Sequence, residues 1–69
     1  MLDLHQYAML RAELEASPDA RDAVLARYGF EGARWQAIDI AWRSRLSRHP
    51  HENASFEAEK SLLLASWRR

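Results

Sequence analysis

No cysteine occurs in this chain, so it has neither a disulfide framework nor a thiolate metal site, the two usual staples of a very small fold. Neither sign of charge is in excess: 10 Lys and Arg residues meet 10 Asp and Glu residues, and no global field draws the chain to nucleic acid or to an anionic membrane. Nothing in it reads as a run of about 18 apolar residues, or as a basic segment leading into a long apolar core. The expectation is therefore no transmembrane span, no secretory signal and a cytoplasmic location. Glycine is scarce, Gly29 and Gly32 being the two present, and no GxGxxG, Walker-type, HExxH or nucleophile-elbow pattern occurs. Glu13 and Glu15, like Glu57 and Glu59, are two apart and diverge on a helix, which leaves acid–base chemistry without a pair. His49 and His51 could be joined by Glu52 or His5 as a third ligand, but zinc takes three or four ligands of defined geometry, and two histidines beside a proline are far more often a cap and a solvated residue. The chain is expected to be no enzyme and to hold no metal or cofactor.

What the sequence does hold is apolar bulk, 48% of its 69 residues, with three tryptophans among them. That length supports a single domain, residues 1–69, which buries only about 60% of the surface of its extended chain. The margin of stability is thin, and aromatic side chains that bury about 150–250 Å² each have to supply much of the core.

Periodicity predicts an all-α fold, a compact bundle of four short helices packed up-down or orthogonally, over about residues 4–15, 18–28, 32–47 and 50–67. Asp3 and Gln6 have capping-box spacing, and the helix they open carries Leu4, Tyr7, Leu10 and Leu14 on one side. Arg11 falls inside that stripe, where it is expected to lay its methylenes over the rim and keep its guanidinium in water; His5 is expected to be solvated. Ser17-Pro18 reads as N-cap and first position of the second helix, Val24 and Tyr28 face inward, and Gly29 supplies a left-handed C′ residue. The stretch from Phe30 to His49 is the one around which the rest is expected to organise. It places Trp35, Ile38, Trp42 and Leu46 in one stripe, sets Gln36, Asp39, Arg43 and Ser47 in a polar sector, and leaves Ala37 and Ala41 for a close helix approach. Pro50 opens the last helix, with Phe56, Leu63 and Trp67 inward and Leu62 and Leu64 beside them. The predicted core is thus Tyr7, Leu10, Leu14, Val24, Tyr28, Trp35, Ile38, Trp42, Leu46, Phe56, Leu63 and Trp67, with the three tryptophans converging.

The residues Leu4-x-x-Tyr7-Ala8, Ala12-Glu13-Leu14, Val24-Leu25-x-x-Tyr28-Gly29, Trp35-x-x-x-Asp39-x-x-Trp42-x-x-Arg45-Leu46 and Phe56 together resemble a small helical unit of proteobacterial proteins of unassigned function. Some proteins of that kind accompany secretion or cell-envelope systems. The resemblance covers nearly the whole chain, but it is one of packing and capping residues. It implies an interaction or accessory module and brings no catalytic or ligand residue with it.

Two further features bear on partners. Met9, Ile40 and Leu64 are apolar residues outside the main stripes, candidates for an apolar seam of the kind that marks a partner site. Arg43, Arg45 and Arg48 form a basic cluster, with Arg34 upstream and Arg68-Arg69 at the end. Residues 1–31 carry six acids against three arginines and residues 32–69 four acids against seven bases, a split that suits association with a protein partner or with a second copy as a homodimer. The expected function is a non-enzymatic protein–protein interaction or accessory module, self-association being one form. The alternative is a small DNA-binding domain, since the second helix, the Gly29 turn and the third helix have the outline of a helix-turn-helix. Nucleic acid is the lesser expectation, because the tryptophans of the third helix are needed in the core and the chain has no net positive charge.

Overall fold

The computed structural model describes residues 2–67; Arg68 and Arg69 lie outside the described residues. Four α-helices make up the fold: α1 (Leu4–Ala16), α2 (Arg21–Arg27), α3 (Gly32–Arg48) and α4 (Pro50–Trp67), with no strand among the described residues. The fold is the all-α bundle of short helices that the periodicity predicts. Consecutive helices pack on one another, and the most extensive pairing joins α1 to α4.

The ends of the helices follow from local chemistry. Asp3 Oδ1 accepts from the Gln6 backbone N–H at 2.8 Å, and Gln6 Oε1 accepts from the Asp3 N–H at 3.0 Å, which satisfies donors that α1 would otherwise leave open. The second helix differs from its expected 18–28 span. Ser17 makes no side-chain cap, and the chain takes one 3-10 turn through Pro18–Ala20 before α2 begins at Arg21. Ser17 has φ −134° and ψ 68°, outside the extended conformation from which a serine hydroxyl reaches the second or third amide. α2 ends as the sequence indicates: Gly29 has φ +77°, its N–H bonds the Ala26 carbonyl, and the Phe30 N–H bonds that of Leu25, both at 3.0 Å. This is the Schellman arrangement, and Phe30 completes it by packing on the core. A Cβ at position 29 would meet nothing within 4 Å, so Gly29→Ala is expected to cost only the left-handed backbone penalty, about 1–2 kcal/mol. A urea melt showing a loss above twice that would mean that the turn is packed more tightly than this.

Tyr7 is the centre of the core. Its ring lies 5.8 Å from that of Trp35, 5.4 Å from Trp42 and 5.1 Å from Phe56, within the range in which aromatic pairs add to simple burial. The hub is therefore on α1, and α3 supplies two of the rings around it. Leu10, Val24, Leu25 and Leu46 complete the buried cluster, with Leu14, Tyr28, Phe30 and Ile38 half-buried against it. Ala8 and Ala12 have no exposed surface, and side chains that small leave room for the close approach of α1 to its neighbours. Ala37 and Ala41, expected in that role, are exposed.

The expected convergence of three tryptophans does not occur. Trp67 is 43% exposed, and Leu63 is half-buried without joining the central cluster. Both lie in the Phe56 direction around the helix, but α4 runs beyond the core: Trp67 lines a groove with Glu15 and Ala16, the last residues of α1. The Cα atoms extend 32 × 31 × 16 Å. A helix with its side chains is about 10–12 Å across, so a body this flat leaves no long helix surrounded on all sides, and each keeps one face in solvent.

Candidate functional site

Beside the aromatic centre lies a polar cluster joining α1 to α3. The Tyr7 hydroxyl donates to Asp39 Oδ1 at 2.5 Å; Arg11 Nη1 donates to the same oxygen and to the Tyr7 hydroxyl, each at 3.1 Å; Arg43 Nε donates to Asp39 Oδ2 at 2.9 Å. Both Asp39 oxygens are thus engaged, and the side chains of Asp39 and Arg11 are mostly buried. Arg11 does not hold its guanidinium in open water, and Asp39 does more than pair with Arg43 along the helix surface. The reason is the tyrosine: its buried ring brings a hydroxyl that needs an acceptor, and Asp39, on the Trp35 side of α3, is positioned to supply one.

Burial pushes the Tyr7 hydroxyl up to about 12, with the hydrogen bond to Asp39 adding to it. For Asp39, burial acts upward, but the hydrogen bonds from Tyr7 and Arg43 and the charges of Arg11 and Arg43 outweigh it and hold the carboxyl below its ordinary value. A tyrosine kept neutral and a carboxylate kept charged with both oxygens occupied are poorly suited to moving protons near neutral pH. The cluster straps two helices together. An open groove of about 470 Å³ lies over it, lined by Tyr7, Arg11, Arg43, Ser47, Asn53 and Phe56 with others.

The basic cluster is mostly neutralised. Arg43 is on Asp39, and Arg45 makes a two-pronged contact with Glu52, Nε at 2.9 Å and Nη2 at 2.8 Å. The hydrogen bonds from Arg45 pull the Glu52 carboxyl below its usual range. Of the three arginines, Arg48 has no ion pair among the described residues, and neither has Arg34. Elsewhere, Lys60 bonds Glu15 at 2.9 Å, tying α4 to the end of α1. His5 is exposed, as expected, and meets Glu59 across the same pair of helices. No group of three potential metal ligands occurs among the described residues, and no helix of the structure is long and apolar enough to cross a membrane.

The apolar candidates fare unequally. Ile40 is 67% exposed, whereas Met9 and Leu64 are half-buried; Leu64 borders the groove of about 380 Å³ between the ends of α1 and α4, where Trp67 lies. Leu62, read from the sequence as part of the inward side, is the most exposed large apolar residue at 72%. Leu62 and Trp67 are functional candidates that the helical pattern hid, since periodicity gives a direction around the helix and not whether a neighbour stands there. Comparison with protein-family models, curated proteins and solved structures finds no match, so the geometry of this surface carries the functional reading.

Proposed function

We propose that this domain is a non-enzymatic protein-docking module of the cytoplasm. One observation carries the reading: Ile40, Leu62 and Trp67 stand exposed at 67%, 72% and 43% on a chain of 69 residues with a small core. Scattered single apolar residues are ordinary on a protein surface; what supports the reading is that three large ones, an aromatic residue of the kind enriched at interfaces among them, stand on so small a chain. The resemblance to a small helical unit of proteobacterial proteins of unassigned function, some of which accompany secretion or cell-envelope systems, would suit an accessory role. Self-association is one form of the reading, in which the acidic segment of one copy meets the basic segment of another.

The DNA-binding alternative has its outline in α2, the Gly29 turn and α3, yet it loses support from the ion pairs. Arg43 and Arg45 are held by Asp39 and Glu52, and affinity for duplex DNA rests largely on arginines and lysines free to displace phosphate counterions.

The test places a photo-crosslinking amino acid at position 40, 62 or 67, or at the exposed polar Asp19 as control, in the organism that makes the protein. Crosslinks to protein at one or more of the three apolar positions, several-fold above Asp19, are expected. Adducts of twice the protomer mass would identify the self-associating form. Yields equal to the Asp19 control at all three positions would refute the docking reading.

A further inference from the structure

Leu62 and Trp67 sit on one helix, and Ile40 sits on another whose outer face has a character of its own. α3 is apolar on two opposite sides. Trp35, Trp42 and Leu46 point into the core. On the far side, at about 100° per residue, Ala33, Ile40, Ala41, Ser44 and Arg48 all fall within roughly 60° of Ala37, and all six are exposed. Ile40 stands midway along this face and at one edge of it, beside a shallow floor of alanine and serine. Arg34 borders this face near its start and Arg48 near its end, about 21 Å apart at 1.5 Å per residue. Neither has an ion pair among the described residues. The one acid within α3, Asp39, is turned inward and spent on Tyr7, Arg11 and Arg43. The solvent face of α3 therefore offers an apolar ridge with an unanswered positive charge at each end.

We propose that this face docks an amphipathic helix of a different protein, one with an apolar seam flanked by Asp or Glu residues about four turns apart. The proposal rests on the docking reading and names the partner's chemistry. Charge complementarity chooses the occupant. A two-fold antiparallel pairing of α3 with its own copy about Ile40 sets Arg34 against Arg48, and a parallel pairing sets each against itself, with no acid on the face to answer them. Such like-charge oppositions select against pairing of this face with itself in a second copy, whereas acidic ends on a partner helix are attracted. The shape chooses a helix, since alanines four residues apart on either side of Ile40 leave grooves that the side-chain ridges of a second helix can enter.

The test is a nitrogen-15 NMR titration of the intact domain with three probes at low and physiological salt. The first is a capped synthetic helix of about 20 residues with leucines at i, i+3, i+4 and i+7 spacing and glutamates at both ends. The second is the same peptide with lysines in place of the glutamates, and the third is a short DNA duplex. The glutamate peptide is expected to shift amides along the exposed side of residues 33–48 and to bind at least tenfold more weakly to Ile40→Glu, a surface change that leaves the core intact. The double variant Arg34→Glu/Arg48→Glu should invert the preference, taking the lysine peptide over the glutamate one by threefold or more. Absence of α3 shifts with the glutamate peptide, or shifts confined to Leu64 and Trp67, would overturn the proposal. So would tighter binding of the duplex to this face, or concentration-dependent shifts of the same amides in the domain alone. In the crosslinking experiment, adducts at positions 62 and 67 with none at 40 would remove this face and leave the docking module standing; control-level yields at all three would remove both.

Discussion

Replacing Trp42 with alanine is expected to cost about 3–5 kcal/mol, the range for emptying a large aromatic site in a core. The whole domain, at about 0.05–0.15 kcal/mol per residue, has only about 3–10 kcal/mol to lose, so the variant gives up a large share of its stability. The loss has named parts: the stack with Tyr7 at 5.4 Å, a place in the buried cluster that also holds Leu46 and Phe56, and the seat of the Arg45 guanidinium 5.4 Å from the indole. One contribution runs the other way. The indole Nε1 of Trp42 is buried without a hydrogen-bond partner, a condition that penalises the folded state by about 1–3 kcal/mol. Trp42→Phe keeps most of the ring and removes that donor, so its net cost is expected to stay under about 1 kcal/mol. Urea melts of the two variants decide the matter: a phenylalanine variant as unstable as the alanine one would contradict the unpartnered indole, and an alanine variant within 1 kcal/mol of the parent would contradict the central position of Trp42.

Asp39→Ala is the second large effect, at about 2–3 kcal/mol, because the Tyr7 hydroxyl and the Arg11 guanidinium lose their shared acceptor in a mostly buried place. Asp39→Asn retains an oxygen for Tyr7 and should recover part of the loss. The pH dependence follows from the directions of the shifts. Asp39 is held below its ordinary value, so its contribution is complete above the unfolded carboxylate pKa of about 4 and is lost as pH falls below that through the folded value. Tyr7 is held up, to about 12; its contribution is complete below the unfolded tyrosine pKa of about 10 and is lost between there and about 12. Thermal melts across both limbs should show Asp39→Ala flattening the acid limb while the alkaline limb persists, since burial is the largest cause of the Tyr7 shift. An acid limb unchanged by the substitution would mean that other carboxylates produce it.

Most of the fold is legible along the chain because its signals are local. Asp3 and Gln6, Gly29, and Pro50 each fix a helix end through atoms at most a few residues away. The central aromatic residues follow from spacing alone. Trp67 was not legible, because the same spacing that points it toward the Phe56 side says nothing of where α1 stops. The strap at Asp39 was half-legible. Arg11 lies inside the apolar stripe of its helix, and Asp39 lies about 40° from Trp35 around the other, so two opposite charges on facing inward sides were a signal of mutual burial. The proposed docking face of α3 was legible only in Ile40. That its alanines stay exposed, and that Arg43 and Arg45 are neutralised while Arg34 and Arg48 are not, depends on which helices arrive beside α3 and which do not.

The hub of the core joins residues far apart in the order of synthesis. Tyr7 meets Phe56, 49 positions later, and its helix has its broadest packing with α4. A ribosome adding about 5–20 residues per second leaves roughly 2–10 s between making the first of these partners and the last. Through that interval Tyr7, Ala8 and Ala12 belong to a helix too short to persist by itself in water. The core of this protein consequently closes in full only when α4 arrives, and until then the side of the first helix that α4 covers stays available to chaperones or to intermolecular mispairing.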